Sequence, residues 1–227
     1  MTAEPSLTVD VVSDVVCPWC YIGKRHLESA LAQLGDARKA HVRWHPFELN
    51  PDLPSSGVDR KTYLERKFGG PQRAATIYAR VKEAGERSGL AFDFDAIVRQ
   101  PNTRDAHRLI AWVQASGDAD ALVERLFRAY FLEGRDLTSR DTLIALAGES
   151  GVDGDAARGF LASDRGAREI EHAQTRAREL GITGVPFFVF DGRVALSGAQ
   201  PPETIVAAIQ QAEEQSRRND GPGTSVA

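Results

Sequence analysis

The sequence predicts an α/β protein in which two strand-containing ends enclose a long helical block. Three observations support this fold class. The first 49 residues contain two strand-like runs separated by a helical pattern. Roughly 120 residues then follow helical periodicity with almost no strand signal. Two short apolar runs and a helix follow that block, so the predicted order is β-α-β, helical block, β-β-α.

The N-terminal end is predicted to be strand, helix, strand. Residues 7–16, LTVDVVSDVV, are rich in Val and read as a buried strand. Pro18 suits the first position of the following helix, whose apolar spacing continues to a natural stop at Gly35. Residues 40–49 are predicted to form the second strand, in which Pro46 indicates a bulge or an edge-like end.

The helical block begins after NPDLPSSG (50–57), a loop rich in helix breakers. One short and one long helix are expected between Asp153 and Leu180, and Ser139 and Asp153 are expected to cap helix N-termini. The other predicted helices are 58–68, 72–88, 102–115, 119–132 and 138–149.

The C-terminal end is predicted to be a hairpin followed by a helix. The segment VPFFVFDGRVALSG (185–198) alternates apolar residues around Asp191-Gly192, a dipeptide typical of hairpin turns. Pro201-Pro202 opens a last helix, which we expect to run from Glu203 to about Ser216.

Composition narrows the function classes. The 227 residues carry a net charge of −4, and their composition is that of a globular protein, so we expect neither a nucleic-acid nor a membrane partner. No run approaches the ~20 apolar residues that span a bilayer. The first residues lack a secretory signal pattern, and we therefore expect a cytoplasmic protein, in which stable disulfides are rare.

The chain has two cysteines, Cys17 and Cys20, placed where the first strand gives way to the first helix. A helix N-terminus stabilises an anionic sulfur through its free N–H groups and its dipole. Residues three apart lie on the same side of a helix. The spacing therefore predicts Cys17 as an exposed nucleophile and Cys20 as a shielded thiol that resolves a mixed disulfide.

Two other interpretations of the pair are open. A C-x-x-C can be half of a zinc site, but zinc requires four ligands and the sequence has no second C-x-x-C. Among the five histidines, His41 and His45 have a suitable spacing, yet they lie in a predicted strand. An inert structural pair is the remaining alternative. We favour dithiol–disulfide chemistry and expect no metal.

The motifs along the chain resemble the DsbA family of thioredoxin-fold proteins, and more narrowly its FrnE-like branch. The resemblance covers about residues 7 to 212. Its motifs are S-D-x-x-C-P-W-C-Y-x-G (13–23), W-x-P-F-x-L-x-P (44–51), N-T-x-x-A-H-R (102–108), G-x-x-G-V-P-F-F-V (181–189) and S-G-A-Q (197–200).

The resemblance implies a thioredoxin fold with a large all-helical insertion. Residues 7–56 would form the N-terminal part of the thioredoxin-fold domain and residues 163–216 its C-terminal part. The insertion would comprise residues 57–162 and cover the C-x-x-C. Residues 217–227 are expected to form a disordered tail.

The resemblance also implies a thiol–disulfide oxidoreductase with Cys17 and Cys20 as catalytic residues. Val185 and Pro186 would form a cis-proline site that faces the cysteines and binds substrate, and Trp19 would add an aromatic surface. Pro18, Asp14, Asn102 and His107 are supporting candidates. Asp14 either moves protons for Cys20 or is only a turn residue. Asn102 and His107 either line the substrate groove or make buried hydrogen bonds.

A second function is open on the same scaffold. The 2-hydroxychromene-2-carboxylate isomerases and kappa glutathione transferases resemble this chain but show D-x-x-S-P-x-S, where this chain has Cys17 and Cys20 in place of both serines. A glutathione-dependent isomerase or transferase of a small organic substrate is therefore the alternative. No bound cofactor is expected, and glutathione is a candidate co-substrate. The expected partner is a thiol- or disulfide-containing protein or small molecule, and the expected state is monomer or homodimer.

Overall fold

A four-stranded mixed sheet forms the centre of the molecule. The computed structural model describes residues 7–35 and 40–219. The strands are ordered β2-β1-β5-β6 across the sheet, with β1 parallel to β2 and antiparallel to β5. The hairpin partners β5 and β6 are antiparallel. The strands are β1 (Leu7–Ser13), β2 (Ala40–Pro46), β5 (Phe187–Phe190) and β6 (Val194–Ser197).

Both N-terminal strands are three residues shorter than the sequence predicts. Strand β1 ends at Ser13 because the chain turns there, with the amide of Cys17 donating to the carbonyl of Asp14 at 3.0 Å. Strand β2 ends at Pro46, which cannot donate to a ladder, and it lies at the edge of the sheet as its proline indicated. The shortened β1 places both cysteines beyond the sheet, at the start of the helix.

Helix α1 (Pro18–Leu34) begins and ends where the sequence predicts. Pro18 occupies the first helical position, where its missing N–H has no intrahelical partner to lose. Gly35 ends the helix with φ 82°, a value that glycine adopts without steric cost.

The helical insertion contains a small sheet that the sequence patterns did not predict. Residues Val58–Asp59 (β3), predicted as helix, pair antiparallel with Arg99–Gln100 (β4). The remaining predicted helices are present, each within about two residues of its expected ends, and Ser139 and Asp153 are N-caps as predicted. They are α2 (Arg60–Phe68), α3 (Pro71–Arg87), α4 (Arg104–Gln114), α5 (Asp120–Phe131), α6 (Arg140–Glu149), α7 (Gly154–Leu161) and α8 (Ala167–Glu179).

The C-terminal hairpin has the predicted turn. Asp191 and Gly192 both have positive φ, 49° and 65°, as the favoured two-residue hairpin turn requires. The last helix, α9 (Pro202–Asn219), extends three residues beyond the expected end at Ser216. It therefore includes the first three residues of the predicted disordered tail, and the rest of that tail lies outside the described residues.

Two glutamine side chains close the backbone of the edge strand and its continuation. The Gln114 amide accepts from the Trp44 N–H at 2.7 Å and donates to the Trp44 carbonyl at 3.2 Å. The Gln174 amide makes the same pair of bonds with Glu48, at 2.8 and 2.9 Å. Each amide thus replaces one residue of a neighbouring strand.

A single large hydrophobic cluster joins the sheet, α1 and the insertion. Tyr21 of α1 stacks on Phe127 of α5, with ring centroids 5.0 Å apart and planes at 11°. Aromatic pairs of this kind contribute about 0.5–1.5 kcal/mol beyond their buried area. The insertion is therefore packed firmly against the helix that carries the cysteines. Within the described parts of the chain, no helix is both long and apolar enough to cross a lipid bilayer.

Candidate active site

Cys17 lies at the N-terminal end of α1 and faces the segment before β5. It is the N-cap residue of the helix, with Pro18 directly after it. Its thiol donates to the carbonyl oxygen of Val185, with Sγ and O 3.6 Å apart. The Val185–Pro186 peptide bond is cis. The structure thus brings together Cys17 and the two residues expected to face it, although Cys17 and Val185 are separated by 168 positions in sequence.

Cys17 is buried, which corrects the expectation of an exposed nucleophile. Its exposed fraction is 5 %. Val185 covers it on one side, and the insertion covers it on another, so the sulfur is reached through a pocket rather than from open solvent. This pocket, here called the Cys17 pocket, has a volume of about 220 Å³. Its walls include Cys17, Pro18, Trp19, Asn50, Lys67 and Gln100.

Cys20 is shielded more completely, as predicted. It is 2 % exposed, and both cysteines are free thiols. Burial raises the pKa of the Cys20 thiol well above its ordinary value, and the hydrogen bond and charge of Cys17 raise it further. The Ser13 side chain and the Asp14 backbone offset part of this rise by hydrogen-bonding the sulfur. Ser13 is a functional candidate that sequence reasoning missed, although it opens the motif that contains the cysteines.

Asp14 is fully buried and acts as a junction between three segments. Its carboxylate accepts from the Leu49 amide at 2.8 Å and, more weakly, from the Val16 amide at 3.4 Å. The Nε2 of buried His107 lies 3.3 Å from the same carboxylate. Asp14 therefore holds the turn between β1 and α1 against the loop after β2. For His107, the buried hydrogen-bonded alternative is the one the geometry matches.

Asn102 also has a structural arrangement. Its amide nitrogen donates to the carbonyls of Pro51 and Leu53, at 3.3 and 2.8 Å, and its amide oxygen accepts from the Arg104 N–H. These bonds fix the loop after β2 against the start of α4. Asn102 does not line the Cys17 pocket, so of its two expected roles the geometry matches the hydrogen-bonded one and not the groove-lining one.

Trp19 stands at the rim of the Cys17 pocket with 41 % of its surface exposed. Its position matches the predicted aromatic surface beside the active sulfur. The opposite wall comes from α2 and α3 of the insertion, including Tyr63, Lys67 and Tyr78. No local signal in the sequence identifies these wall residues, because only the packed insertion brings them to Cys17. Asn50 is different, since it lies inside the WHPFELNP motif and could have been selected there.

Metal binding has no geometric basis in the described part of the chain. No three His, Cys, Asp or Glu side chains within residues 7–35 and 40–219 are grouped so that they could hold a metal ion. His45, one of the two histidines with suitable spacing, instead contacts the Asp10 carboxylate on the exposed face of the sheet, at 2.6 Å. The site itself presents two neighbouring thiols, one of which lines a pocket.

Comparisons with known proteins agree with this geometry. The model of the DSBA-like thioredoxin domain matches residues 8–210. The uncharacterised protein YwbO of Bacillus subtilis (strain 168) is 27 % identical over 214 residues, which cover 92 % of this chain and 98 % of YwbO.

Solved structures give the same assignment. A probable DsbA oxidoreductase from Streptomyces coelicolor is 30 % identical, with a TM-score of 0.82 over 97 % of this chain and 94 % of that one. A 2-hydroxychromene-2-carboxylate isomerase has a TM-score of 0.65 over 93 % of this chain and 97 % of its own, but at 18 % identity it shows the common fold alone. The resemblance and the fold expected from the motifs are confirmed, and the chain belongs to the DSBA-like thioredoxin domain family.

Proposed function

We propose that this protein is a thiol–disulfide oxidoreductase that uses Cys17 and Cys20. One observation carries the proposal: a thiol at a helix N-terminus lines a pocket, while a second thiol lies buried one turn behind it. The first arrangement favours a reactive sulfur, and the second favours a resolving thiol that substrate cannot reach directly. Membership of the DSBA-like family supports the same reaction class.

The reaction proceeds in two exchanges. The Cys17 thiolate attacks one sulfur of a substrate disulfide R–S–S–R′, forming Cys17–S–S–R and releasing R′S⁻. Cys20 then attacks Cys17 Sγ, releasing RS⁻ and leaving a Cys17–Cys20 disulfide, while its proton passes to a departing thiolate. Two electrons have moved from the protein dithiol to the substrate. An external thiol or dithiol returns the protein to its reduced form, and the reverse sequence oxidises a substrate dithiol.

The residues around Cys17 have distinct roles in this proposal. Pro18 sets the helix start and so the position of the Cys17 sulfur. The Val185–Pro186 segment presents the Val185 carbonyl beside that sulfur, where it can accept a hydrogen bond from a bound substrate. Exposed Trp19 offers an apolar contact for the part of the substrate that extends beyond the pocket. Glutathione is a candidate co-substrate, and a cytoplasmic location is part of the proposal.

Trapping of a mixed disulfide tests the proposal. In Cys20→Ser, the second exchange is blocked, so the reduced variant exposed to a small disulfide should retain half of it on Cys17. Intact-mass spectrometry should show one adduct, which dithiothreitol removes. Cys17→Ser is the matched control and should show no adduct, because its remaining thiol, Cys20, does not line the pocket. An adduct on Cys17→Ser but none on Cys20→Ser would reverse the assigned roles.

The alternative function gives a different result. A glutathione-dependent isomerase or transferase needs no resolving thiol. If Cys20→Ser turns over a small glutathione-dependent substrate as fast as the unmodified protein, and neither cysteine variant affects disulfide exchange, the isomerase interpretation replaces the one proposed here.

A further inference from the structure

Three polar side chains in the wall of the Cys17 pocket, Asn50, Tyr63 and Lys67, are joined by hydrogen bonds in which the oxygen atoms act as acceptors. The Lys67 ammonium donates to the Tyr63 hydroxyl at 2.8 Å, and that hydroxyl donates to the Asn50 amide oxygen. The Tyr63 oxygen and the Asn50 oxygen are thereby used within the protein. These hydrogen bonds do not use the Asn50 NH₂ group or the other two N–H bonds of Lys67, which remain as donors.

The Gln100 side chain also uses its amide oxygen within the protein and leaves its NH₂ group as a donor. Its amide oxygen accepts from Nη1 of Arg60 at 3.3 Å. A guanidinium can only donate, so the atom facing Arg60 must be the oxygen, and the NH₂ end of Gln100 points the other way. Gln100 is a wall residue of the Cys17 pocket, together with Asn50 and Lys67. The three side chains therefore offer donors.

The charged residue in the wall of the Cys17 pocket is positive. The pocket wall contains Lys67 and no Asp or Glu. Arg60, which donates to Gln100, is 3 % exposed and lines the neighbouring pocket rather than this one, with its carbon Cζ 5.0 Å from the Tyr78 ring centroid. Its Nη2 has no hydrogen-bond partner, and in the described residues no carboxylate lies within ion-pair distance of either Arg60 or Lys67. A positive side chain in the pocket wall, with no carboxylate beside it, makes an anionic occupant favourable.

We propose that the Cys17 pocket binds a low-molecular-weight disulfide that carries a carboxylate, with Lys67 as the residue that selects for this charge. The inference rests on the proposed thiol–disulfide function and names its substrate class. Lys67 binds the carboxylate, the NH₂ groups of Gln100 and Asn50 add hydrogen bonds, and the apolar wall of Leu49 and Val81 contacts the carbon chain. A volume of about 220 Å³ accommodates one half of such a disulfide, with the other half leaving past Trp19.

The chemical step is the balanced exchange described above. The bound half, ⁻OOC–R–S, becomes attached to Cys17, and the other half departs as R′S⁻. Attack by Cys20 then releases ⁻OOC–R–S⁻ and forms the protein disulfide. Dithiothreitol, as an external dithiol, supplies the two electrons for the next turnover.

Three disulfides of similar length separate the effects of charge from those of size. These are 3,3′-dithiodipropionate, which is anionic, bis(2-hydroxyethyl) disulfide, which is neutral, and cystamine, which is cationic. The measurement is kcat/KM for each, divided by the rate at which dithiothreitol alone reduces the same compound. The unmodified protein should prefer the anion, then the neutral compound, then the cation. Lys67→Met should reduce the anion-to-neutral preference about tenfold, the value of one charge-assisted bond.

Two further variants complete the design. Lys67→Arg keeps the positive charge and should restore most of the preference. Lys61→Met removes the same charge from the same helix but from the wall of a neighbouring pocket, so it should keep the preference. Equal effects of Lys61→Met and Lys67→Met would overturn the inference, as would an unmodified protein without a preference for the anion. Failure to reduce any of the three compounds would instead count against the proposed function itself.

Discussion

At the scale of single residues, burial assigns different roles to two chemically identical thiols. Cys17 borders a pocket, whereas Cys20 lies beneath it, and the raised pKa of Cys20 keeps that sulfur protonated while Cys17 meets substrate. A resolving thiol must not react before the mixed disulfide has formed. Burial satisfies this requirement, because it keeps substrate away from Cys20 and keeps the Cys20 thiol protonated. Cys20 can react once the mixed disulfide has formed on the neighbouring Cys17.

The difference predicts the order of alkylation. Thiolates react with iodoacetamide and thiols do not, so a raised pKa delays modification of Cys20 to higher pH. At pH 7.5 (roughly one unit below the ordinary thiol value of about 8.5), we expect one adduct, located on Cys17 by peptide mass spectrometry. The rate at Cys20 should increase with pH well above that value. Equal rates at the two cysteines, or a Cys20 rate that does not change with pH, would contradict the prediction.

The sequence identified the cysteines, and the family resemblance pointed to Val185 and Pro186, but neither predicted that Cys17 is buried. Two thiols spaced by one helical turn after a strand are visible within residues 7–20. The burial of Cys17 is not visible there, since it depends on Val185 and on the insertion, both distant in sequence. The same is true of Lys67 and Gln100, which reach the pocket only after the insertion folds back. The local sequence pattern therefore predicts the two reactive sulfurs, whereas their accessibility and the residues around them depend on long-range packing.

At the scale of elements, Gly23 is a position at which α1 packs tightly against Pro186 and β5. A Cβ atom at this position would lie 3.0 Å from Cγ of Pro186 and 3.1 Å from Cζ of Phe188. These contacts are tighter than packed side chains normally allow. The absence of a side chain at Gly23 therefore permits the spacing that places the Cys17 sulfur next to the Val185 carbonyl.

A pair of glycine substitutions tests this spacing. Gly23→Ala should lower the free energy of unfolding by about 1–3 kcal/mol, because the added methyl group overpacks the contact, and it should slow disulfide exchange. Gly159→Ala is the control, since Gly159 is also helical, in α7, but has open space where a Cβ atom would lie. It should raise the free energy of unfolding by up to about 1 kcal/mol. Urea midpoints measure both, and the same sign for the two variants would refute the argument.

Helices were more predictable than the short strands. Caps such as Ser139 and Asp153 act on residues three positions away, so the sequence contains the whole signal. Strands β3 and β4 are two residues long and pair Val58 with Gln100 across 42 positions. The local sequence does not distinguish such residues from helix or loop. Their pairing arises only when residues 58–59 and 99–100 are brought together by the folded insertion.

At the scale of the whole molecule, the boundaries predicted at residues 57 and 162 divide the chain but do not interrupt the hydrophobic core. The hydrophobic cluster continues across these boundaries, from Val9 and Phe188 in the sheet to Leu126 and Leu143 in the insertion. The stack of Tyr21 on Phe127 joins the two parts directly. An insertion that shares its core with the sheet has no separate interior on which to unfold independently.

This continuity predicts a single unfolding transition. Hydrogen exchange, measured on peptides from α5 and β5 as urea is raised, should show both losing protection at one midpoint. Phe127→Ala, which removes a fully buried ring, should lower both midpoints together, because it reduces the free energy of unfolding by about 3–5 kcal/mol. If the variant shifts only the α5 midpoint, the insertion is an independent folding unit.

The amides of Gln114 and Gln174 have a consequence for the protein in concentrated solution. An open edge strand is a template on which a second chain can add, and such addition is a common start of aggregation. Here, the N–H and C=O of Trp44 and Glu48 are already satisfied from within the molecule. The two glutamines thus prevent a second chain from pairing with the backbone at Trp44 and Glu48. This arrangement favours colloidal stability without adding any surface charge.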